Sequence, residues 1–201
     1  MQANRIDYRL GLPDALRFEA AELYDEAFGF KFASAIGGAR VRRKLFADCF
    51  LCGYAFAAIA ADGGKLLGIA GLHTRDGALT GGITPARLRA HLGRLRGAWA
   101  AAVLHLYERE PDSRELVMDG IAVRADARGR GIGGRLLDET AAYARARGYE
   151  RVRLDVIDIN PRARRLYERK GFVAVSTERF AWLRWLLKFG AATRMELRVA
   201  E

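Results

Sequence analysis

Histidine, cysteine and proline are scarce in this chain. Its 201 residues contain three histidines, two cysteines and four prolines. The histidines lack the paired spacing of zinc ligands, so no metal centre is expected. The two cysteines form the motif Cys49-Phe50-Leu51-Cys52, whose spacing also suits a redox pair. Because a redox pair of that type opens a helix, whereas this one follows a helical run, we interpret both thiols as small apolar core residues.

Long apolar runs are also missing. No uninterrupted apolar stretch approaches the ~20 residues that a membrane span requires, and the opening residues 1–5 lack the apolar core of a signal peptide. We therefore expect a cytoplasmic protein without a membrane span. No repeat or linker-like tract divides the chain, and 51% hydrophobic residues are sufficient for one sizeable core. The prediction is a single domain over residues 1–201.

Acidic residues are outnumbered by basic ones. The chain has 24 Asp and Glu against 34 Lys and Arg, a formal net charge of +10. This balance favours anionic partners: nucleic acid, a membrane surface or a phosphate-bearing small molecule. The excess of arginine is concentrated between Arg124 and Lys170, around a glycine-rich segment. Acids are interspersed among these arginines and no aromatic ladder for base stacking accompanies them, so nucleic acid is not the expected partner.

The spacing of apolar residues predicts a mixed α/β chain. Strands are predicted at 6–10, 54–61, 65–73, 116–123, 152–156, 172–180 and 193–199, and helices at 13–29, 39–51, 132–148 and 160–171. A further helical insertion at about 84–108 starts at Thr84-Pro85, a favourable cap and first position, with Gly93 and Gly97 as its weak points. The interior Asp119-Gly120 of the fourth strand predicts a β-bulge or a close backbone approach.

The glycine-rich segment 128–134, Arg-Gly-Arg-Gly-Ile-Gly-Gly, is the strongest functional signal. Between a strand and a helix, consecutive glycines let backbone N–H groups converge on an anion, and the helix N-terminus adds the positive end of its dipole. A Walker A loop is excluded, because Arg135-Leu136 replaces the required Lys-Ser or Lys-Thr. A dinucleotide fingerprint with Gly129, Gly131, Gly134 and Asp155 stays open, although the charged stretch 124–128 separates the strand from the first glycine. The segment therefore predicts a phosphate-binding loop.

A third interpretation joins this segment to a second motif downstream. Arg128-x-x-Gly131-x-Gly133 is followed by Asn160-x-x-Ala163-x-x-Leu166-Tyr167-Glu168-x-x-Gly171-Phe172. These two ordered motifs resemble the GCN5-related N-acetyltransferase (GNAT) superfamily, and the resemblance is clear over residues 116–173. It implies a single α/β domain of that type, with a mixed, mostly antiparallel sheet, one splayed parallel strand pair and flanking helices.

The resemblance also implies acetyl-coenzyme A (acetyl-CoA) as co-substrate, bound between the splayed strands 116–123 and 152–157. Backbone groups of the first strand would pair with the pantetheine arm, the amides of the glycine loop would hold the pyrophosphate, and Asn160 would contact the pantetheine chain. The cofactor-binding residues implied in this way are Ile121, Val123, Arg128, Gly129, Arg130, Gly131, Ile132, Gly133, Gly134 and Asn160.

Two catalytic residues follow from the same resemblance. Tyr167 matches the tyrosine that protonates the leaving thiolate, and a phenol is a suitable weak acid for that task. The position where relatives carry a glutamate base is Val117 here, so Asp119, two residues on and on the same strand face, is the candidate base. For Asp119, a role as a structural acid is an equally good interpretation. For Tyr167, the alternative is an aromatic residue that packs in the core. We interpret the further acids near the wedge, Glu115, Asp155 and Asp158, as structural.

The acceptor is predicted only as a primary amine of a small molecule or peptide. Its pocket should draw on Tyr24 and Phe28, together with Trp182 or Trp185 from the basic stretch 179–188. That stretch is too short to span a bilayer and suits a substrate pocket or a subunit contact, so a homodimer stays open. Two other function classes also stay open, a nucleotide-dependent oxidoreductase and a non-catalytic protein that binds acyl-CoA or nucleic acid.

Overall fold

The computed structural model describes residues 5–62, 64–105, 111–179 and 189–200. These residues form eight strands and six helices. The strands are β1 Ile6–Leu10, β2 Ala55–Ala60, β3 Leu66–Thr74, β4 Gly77–Ala78, β5 Glu115–Val123, β6 Arg151–Ile157, β7 Val173–Arg179 and β8 Ala191–Arg198. The helices are α1 Arg17–Ile36, α2 Ala39–Cys49, α3 Pro85–Leu92, α4 Arg94–His105, α5 Ile132–Ala146 and α6 Pro161–Arg169. The predicted elements are all present, with differences at their ends.

All eight strands join one sheet in the order β1-β2-β3-β5-β6-β8-β7, with β4 paired to β3. Every pairing is antiparallel except β5 with β6, which is parallel. That parallel pairing covers only Glu115 to Val117 against Arg151 to Arg153. Beyond these residues the two strands are no longer paired, so the predicted splayed parallel pair is present and opens a wedge in the sheet.

Each face of the sheet has its own apolar core. Ile132, Leu136 and Leu137 of α5 pack against Leu116 and Leu154 on one face. On the other face, the rings of Tyr24 from α1, Phe46 from α2 and Phe50, directly after α2, pack over β2 and β3. The helices therefore lie on both sides of the strands that carry the wedge.

The first helix is longer than predicted. It begins at Arg17, after a 3₁₀ turn at Asp14–Leu16, and continues through Gly29 to Ile36. A side chain at position 29 would collide with the Asp25 carboxylate, which is ion-paired with Arg42 of α2. Gly29 is thus required by the packing of α2 on α1 and does not end the helix.

The helical insertion is two helices. Gly93 has φ +82°, a conformation that glycine adopts without strain, and the chain turns there between α3 and α4. Leu88, Ala100 and Val103 bury this pair of helices against α1 and α2. Of the two predicted weak points, only Gly93 separates the helices. Gly97 lies inside α4, where it packs against the backbone of Arg89.

Other expectations concern the cysteines and the Trp-containing stretch. Cys49 ends α2 and is buried, Cys52 is half-buried in the next turn, and both thiols are free, as expected for core residues. Trp182 and Trp185 lie outside the described residues. Among the residues that are described, no helix is long and apolar enough to cross a membrane, and no group of three or more His, Cys, Asp or Glu side chains could hold a metal ion.

Candidate functional site

The glycine loop connects β5 to α5 and leaves backbone amides open at the helix start. Gly131 is the N-cap residue of α5, in the left-handed conformation with φ +79°, and no heavy atom lies within 4 Å of where its Cβ would stand. No side chain of the described residues caps this helix. The first-turn N–H groups therefore have the arrangement that binds an anion.

The remaining residues of the loop differ in what they contribute. Gly129 also has a positive φ, +82°, and open space around it. Gly133 and Gly134 face α6, because a Cβ would lie 3.3 Å from Leu166 in the first case and 2.9 Å from Lys170 in the second. The side chain of Ile132 is buried in the core. Ile132, Gly133 and Gly134 can therefore offer a ligand their backbone amides and little else.

The two loop arginines are exposed. Arg128 folds back onto the strand, and its Nε donates to the carbonyl of Val123 over 3.1 Å. This bond ties the loop to the end of β5, so Arg128 holds the loop while adding positive charge beside it. Arg130 lies between the two left-handed glycines and adds a second positive charge.

The wedge begins where β5 leaves β6. Ile121 and Val123 lie past the last β5–β6 pair and are paired on their other side with Ala70 and Gly68 of β3. Both side chains are half-buried. The stretch of β5 that the resemblance assigns to pantetheine therefore borders the opening.

A β-bulge interrupts β5 at Asp119, as predicted. Gly120 pairs with Gly71 and Met118 pairs with Leu72, so Asp119 is the extra residue. Gly120 has φ +150°, and a Cβ there would come within 2.8 Å of the Phe28 ring. The bulge therefore needs glycine because α1 packs directly against it.

The carboxylate of Asp119 is held by Thr80. Its Oδ2 accepts hydrogen bonds from the Thr80 backbone N–H (2.9 Å) and from the Thr80 hydroxyl (2.7 Å). Burial raises the pKa of Asp119 above its usual value, although the bonds from Thr80 and the positive charge of Lys31 act in the opposite direction. A carboxylate with a raised pKa is a better proton acceptor than an ordinary aspartate.

Three residues of α1 cover the bulge from one helix face, namely Tyr24, Phe28 and Lys31. The Tyr24 hydroxyl donates to the backbone carbonyl of Asp119 over 3.0 Å, and the rings of Tyr24 and Phe28 are 4.7 Å apart. Lys31 Nζ lies 5.6 Å from the centre of the Phe28 ring. Tyr24 and Phe28 were predicted to line the acceptor pocket.

Sequence reasoning missed Lys31 and Thr80. Lys31 follows Tyr24 and Phe28 at helical spacing, i, i+4 and i+7, which would have placed the three side chains on one face. Thr80 follows the short strand β4, and no local pattern connects it to Asp119, which is 39 positions away.

Helix α6 carries the second motif. Asn160 is the N-cap of this helix, with its Oδ1 accepting from the backbone N–H of Ala163 over 3.1 Å. This bond leaves the amide NH₂ of Asn160 for other partners. Tyr167 is buried, its ring packs against Phe172 with centroids 5.9 Å apart, and burial raises its pKa to about 12. Its hydroxyl has no hydrogen-bond partner among the described residues.

The other acids near the wedge make structural contacts. Glu115 is buried and pairs with Arg151 and Arg153, both at 3.3 Å. Asp155 pairs with Arg153 over 3.4 Å and keeps 40% of its side chain exposed. Asp158 accepts the backbone N–H of Gly190. These contacts agree with the structural interpretation of the three acids, and Asp155 also faces Lys31 electrostatically.

Comparison with known proteins identifies a family. The sequence pattern of the acetyltransferase (GNAT) family matches residues 19–172. The chain is also 38% identical over 76 residues to the mycothiol acetyltransferase of Beutenbergia cavernae. That match covers 38% of this chain and 26% of the relative, so the chain spans about a quarter of the length of the curated protein it matches.

Solved structures agree on the fold. The N-acetyltransferase of Staphylococcus aureus Mu50 gives a TM-score of 0.60 at 16% identity, covering 98% of this chain and 99% of that one. The Salmonella typhimurium yncA protein, solved with its cofactor acetyl-CoA, gives a TM-score of 0.60 at 17% identity, covering 98% and 96%. At these identities the likeness establishes the fold alone, and it confirms the predicted mixed, mostly antiparallel α/β architecture.

Proposed function

Because the chain belongs to the acetyltransferase (GNAT) family, whose members use acetyl-CoA as co-substrate, we propose that it transfers an acetyl group to a primary amine of a small molecule or peptide. The observation that carries the proposal is the uncapped start of α5 at the mouth of the wedge, behind two left-handed glycines. A cradle of backbone amides with open space at Gly131 fits a pyrophosphate.

The cofactor-binding assignments follow from this fit. The amides of residues 129–134 would hold the pyrophosphate, with Arg128 and Arg130 attracting it from outside. The edge of β5 at Ile121 and Val123 and the free amide of Asn160 would hold the pantetheine arm. When bound, acetyl-CoA supplies the thioester whose carbonyl carbon the amine attacks.

The chain's own side chains would handle the protons. Asp119 would accept a proton from the attacking ammonium, directly or through a water, so that the amine becomes nucleophilic. Tyr167 would give its phenolic proton to the departing thiolate. Burial raises the pKa of Tyr167 to about 12, so the phenol keeps its proton throughout the neutral range. At that pKa it is a weak acid, and it would donate only as negative charge develops on the departing sulfur.

Nothing observed favours the oxidoreductase or the non-catalytic alternatives. The single domain over 1–201, the cytoplasmic location and the homodimer stay predictions of the sequence.

Isothermal calorimetry with coenzyme A and, in competition, NADH tests the proposal. We expect coenzyme A to bind and NADH to leave that binding unchanged at equal concentration. Absence of coenzyme A binding at millimolar ligand would refute the proposal, and displacement by NADH would favour the oxidoreductase. A release of free thiol that requires both acetyl-CoA and an amine completes the test.

A further inference from the structure

Lys31 places a positive charge on the face of α1 that also carries Tyr24 and Phe28, beside the bulge. It lies one turn beyond Phe28 on α1, and its side chain is half-buried. Phe28 lies between Lys31 and the bulge, with Lys31 Nζ 5.6 Å from the ring centre and the ring in close contact with Gly120. The ammonium group and the bulge therefore form one wall, in which Lys31 lies within electrostatic reach of Asp119.

Among the described residues, no carboxylate forms an ion pair with this ammonium group. Asp119 and Asp155 act on Lys31 electrostatically and favour its charged form, whereas burial lowers its pKa. Yet no ion pair or hydrogen bond of Lys31 occurs in the described part of the chain. The contact of this half-buried cation with the Phe28 ring compensates only in part for the water it has lost, so an anionic group of a ligand would improve its environment.

The same wall also carries a negative charge, the carboxylate of Asp119. The two hydrogen bonds to Asp119 both fall on Oδ2, and among the described residues none is made to Oδ1. An ammonium group of an acceptor could donate to that oxygen before deprotonation. The wall therefore offers one acceptor position for a cation and one donor position for an anion.

We propose that Lys31 binds a carboxylate of the acceptor, so that the substrate class is an amine that also carries a carboxylate, as in amino acids. This inference rests on the proposed acetyl transfer and adds the chemical class of the acceptor. A carboxylate fits better than a phosphate because of the two acids that act on Lys31, Asp119 and Asp155. These acids would repel a dianionic phosphate more strongly than a monoanionic carboxylate.

Matched pairs of amines test the inference: arginine with agmatine, lysine with cadaverine, and phenylalanine with phenethylamine. Within a pair, only the carboxylate is lost. We expect the wild-type kcat/KM to be higher for the carboxylate-bearing member by about tenfold in at least one pair. In Lys31→Met, which keeps the length of the side chain and removes its charge, this ratio should fall to about one, mainly through KM. Lys31→Arg should keep most of it.

The control variant is Lys44→Met, which removes the same charge from an exposed position on α2 and should leave the ratio unchanged. Coenzyme A affinity should be the same in all three variants. Equal kcat/KM within every pair, a preference that survives Lys31→Met, or transfer to none of the amino acids would each overturn the assignment of Lys31. The proposed function fails separately, if coenzyme A itself does not bind.

Discussion

The cofactor side and the acceptor side of the candidate site are built in different ways. The pyrophosphate loop of the cofactor side is a continuous stretch of seven residues, 128–134, placed between one strand and one helix. What it offers is backbone amides. The acceptor side brings together Lys31 from α1, Thr80 from the turn after β4, and Asp119 from the bulge in β5. What it offers is side chains.

This difference determines how each side responds to substitution. Backbone amides are present whatever the side chain is, so the cofactor side is sensitive mainly to changes that alter its backbone conformation. The acceptor side depends on individual functional groups and on the packing that brings distant segments together. A substitution should therefore affect one side and spare the other, and the following changes test this, from the largest expected effect to the smallest.

Tyr167→Phe should have the largest effect on the chemistry. Removing the phenolic proton while keeping the ring and its contact with Phe172 should lower kcat by about a thousandfold, within the range for general acid catalysis. The dissociation constant of coenzyme A should not change. Steady-state kinetics and calorimetry measure the two quantities. A variant with wild-type kcat would leave Tyr167 with a packing role alone.

Asp119→Asn should lower kcat/KM by about a hundredfold at neutral pH and change the pH profile. Because the pKa of Asp119 is raised by burial, wild-type activity should rise with pH through a pKa above that of an ordinary aspartate, as the base loses its proton. The variant should lack this rise. Tyr167, with a pKa of about 12, should cause no decline at moderately alkaline pH. A pH profile that the substitution leaves unchanged would remove Asp119 from the base role.

Gly131→Ala should weaken coenzyme A binding by about tenfold, because the new Cβ would stand in the open space beside the loop amides, where a phosphate would approach. The left-handed conformation also costs a non-glycine residue about 1–2 kcal/mol of stability. Gly148→Ala is a matched control, since Gly148 follows α5 with φ +75° and equally open surroundings. Both variants should lose similar unfolding free energy in urea titrations. Only Gly131→Ala should lose affinity, and equal affinities would argue against ligand contact at the loop.

Substitutions of Asn160 should have the smallest effects, and two variants separate its contribution to stability from its contribution to coenzyme A binding. Asn160→Ala removes the N-cap of α6 and should cost about 1 kcal/mol of stability. Asn160→Asp keeps a capping oxygen and should retain that stability, but it removes the amide donor, so coenzyme A affinity should fall a few-fold. If Asn160→Asp binds coenzyme A as well as the wild type does, the residue acts only as a cap.

Local sequence was sufficient for most of the fold and for the cofactor side. The strand at 6–10, the helix start at Thr84-Pro85 and the glycine loop each depend on the local conformation of neighbouring residues, so the sequence predicted them. The continuation of α1 beyond Gly29 was not readable, because the reason for glycine there is the Asp25–Arg42 ion pair between two helices. The sequence indicated Gly93 only as a weak point of one helical insertion, whereas the structure divides the insertion there into α3 and α4.

By itself the sequence determined the order of the elements, the interruption of β5 at Asp119-Gly120 and, through two ordered motifs, the family. It also predicted a phosphate-binding loop at residues 128–134. Only the tertiary structure decided that β5 and β6 part after three residue pairs, that Thr80 holds the Asp119 carboxylate, and that Lys31 faces the bulge. The reason is physical. A backbone site is encoded by the local conformation of consecutive residues, whereas a side-chain site exists only once the packing of α1 on the sheet has brought its members together.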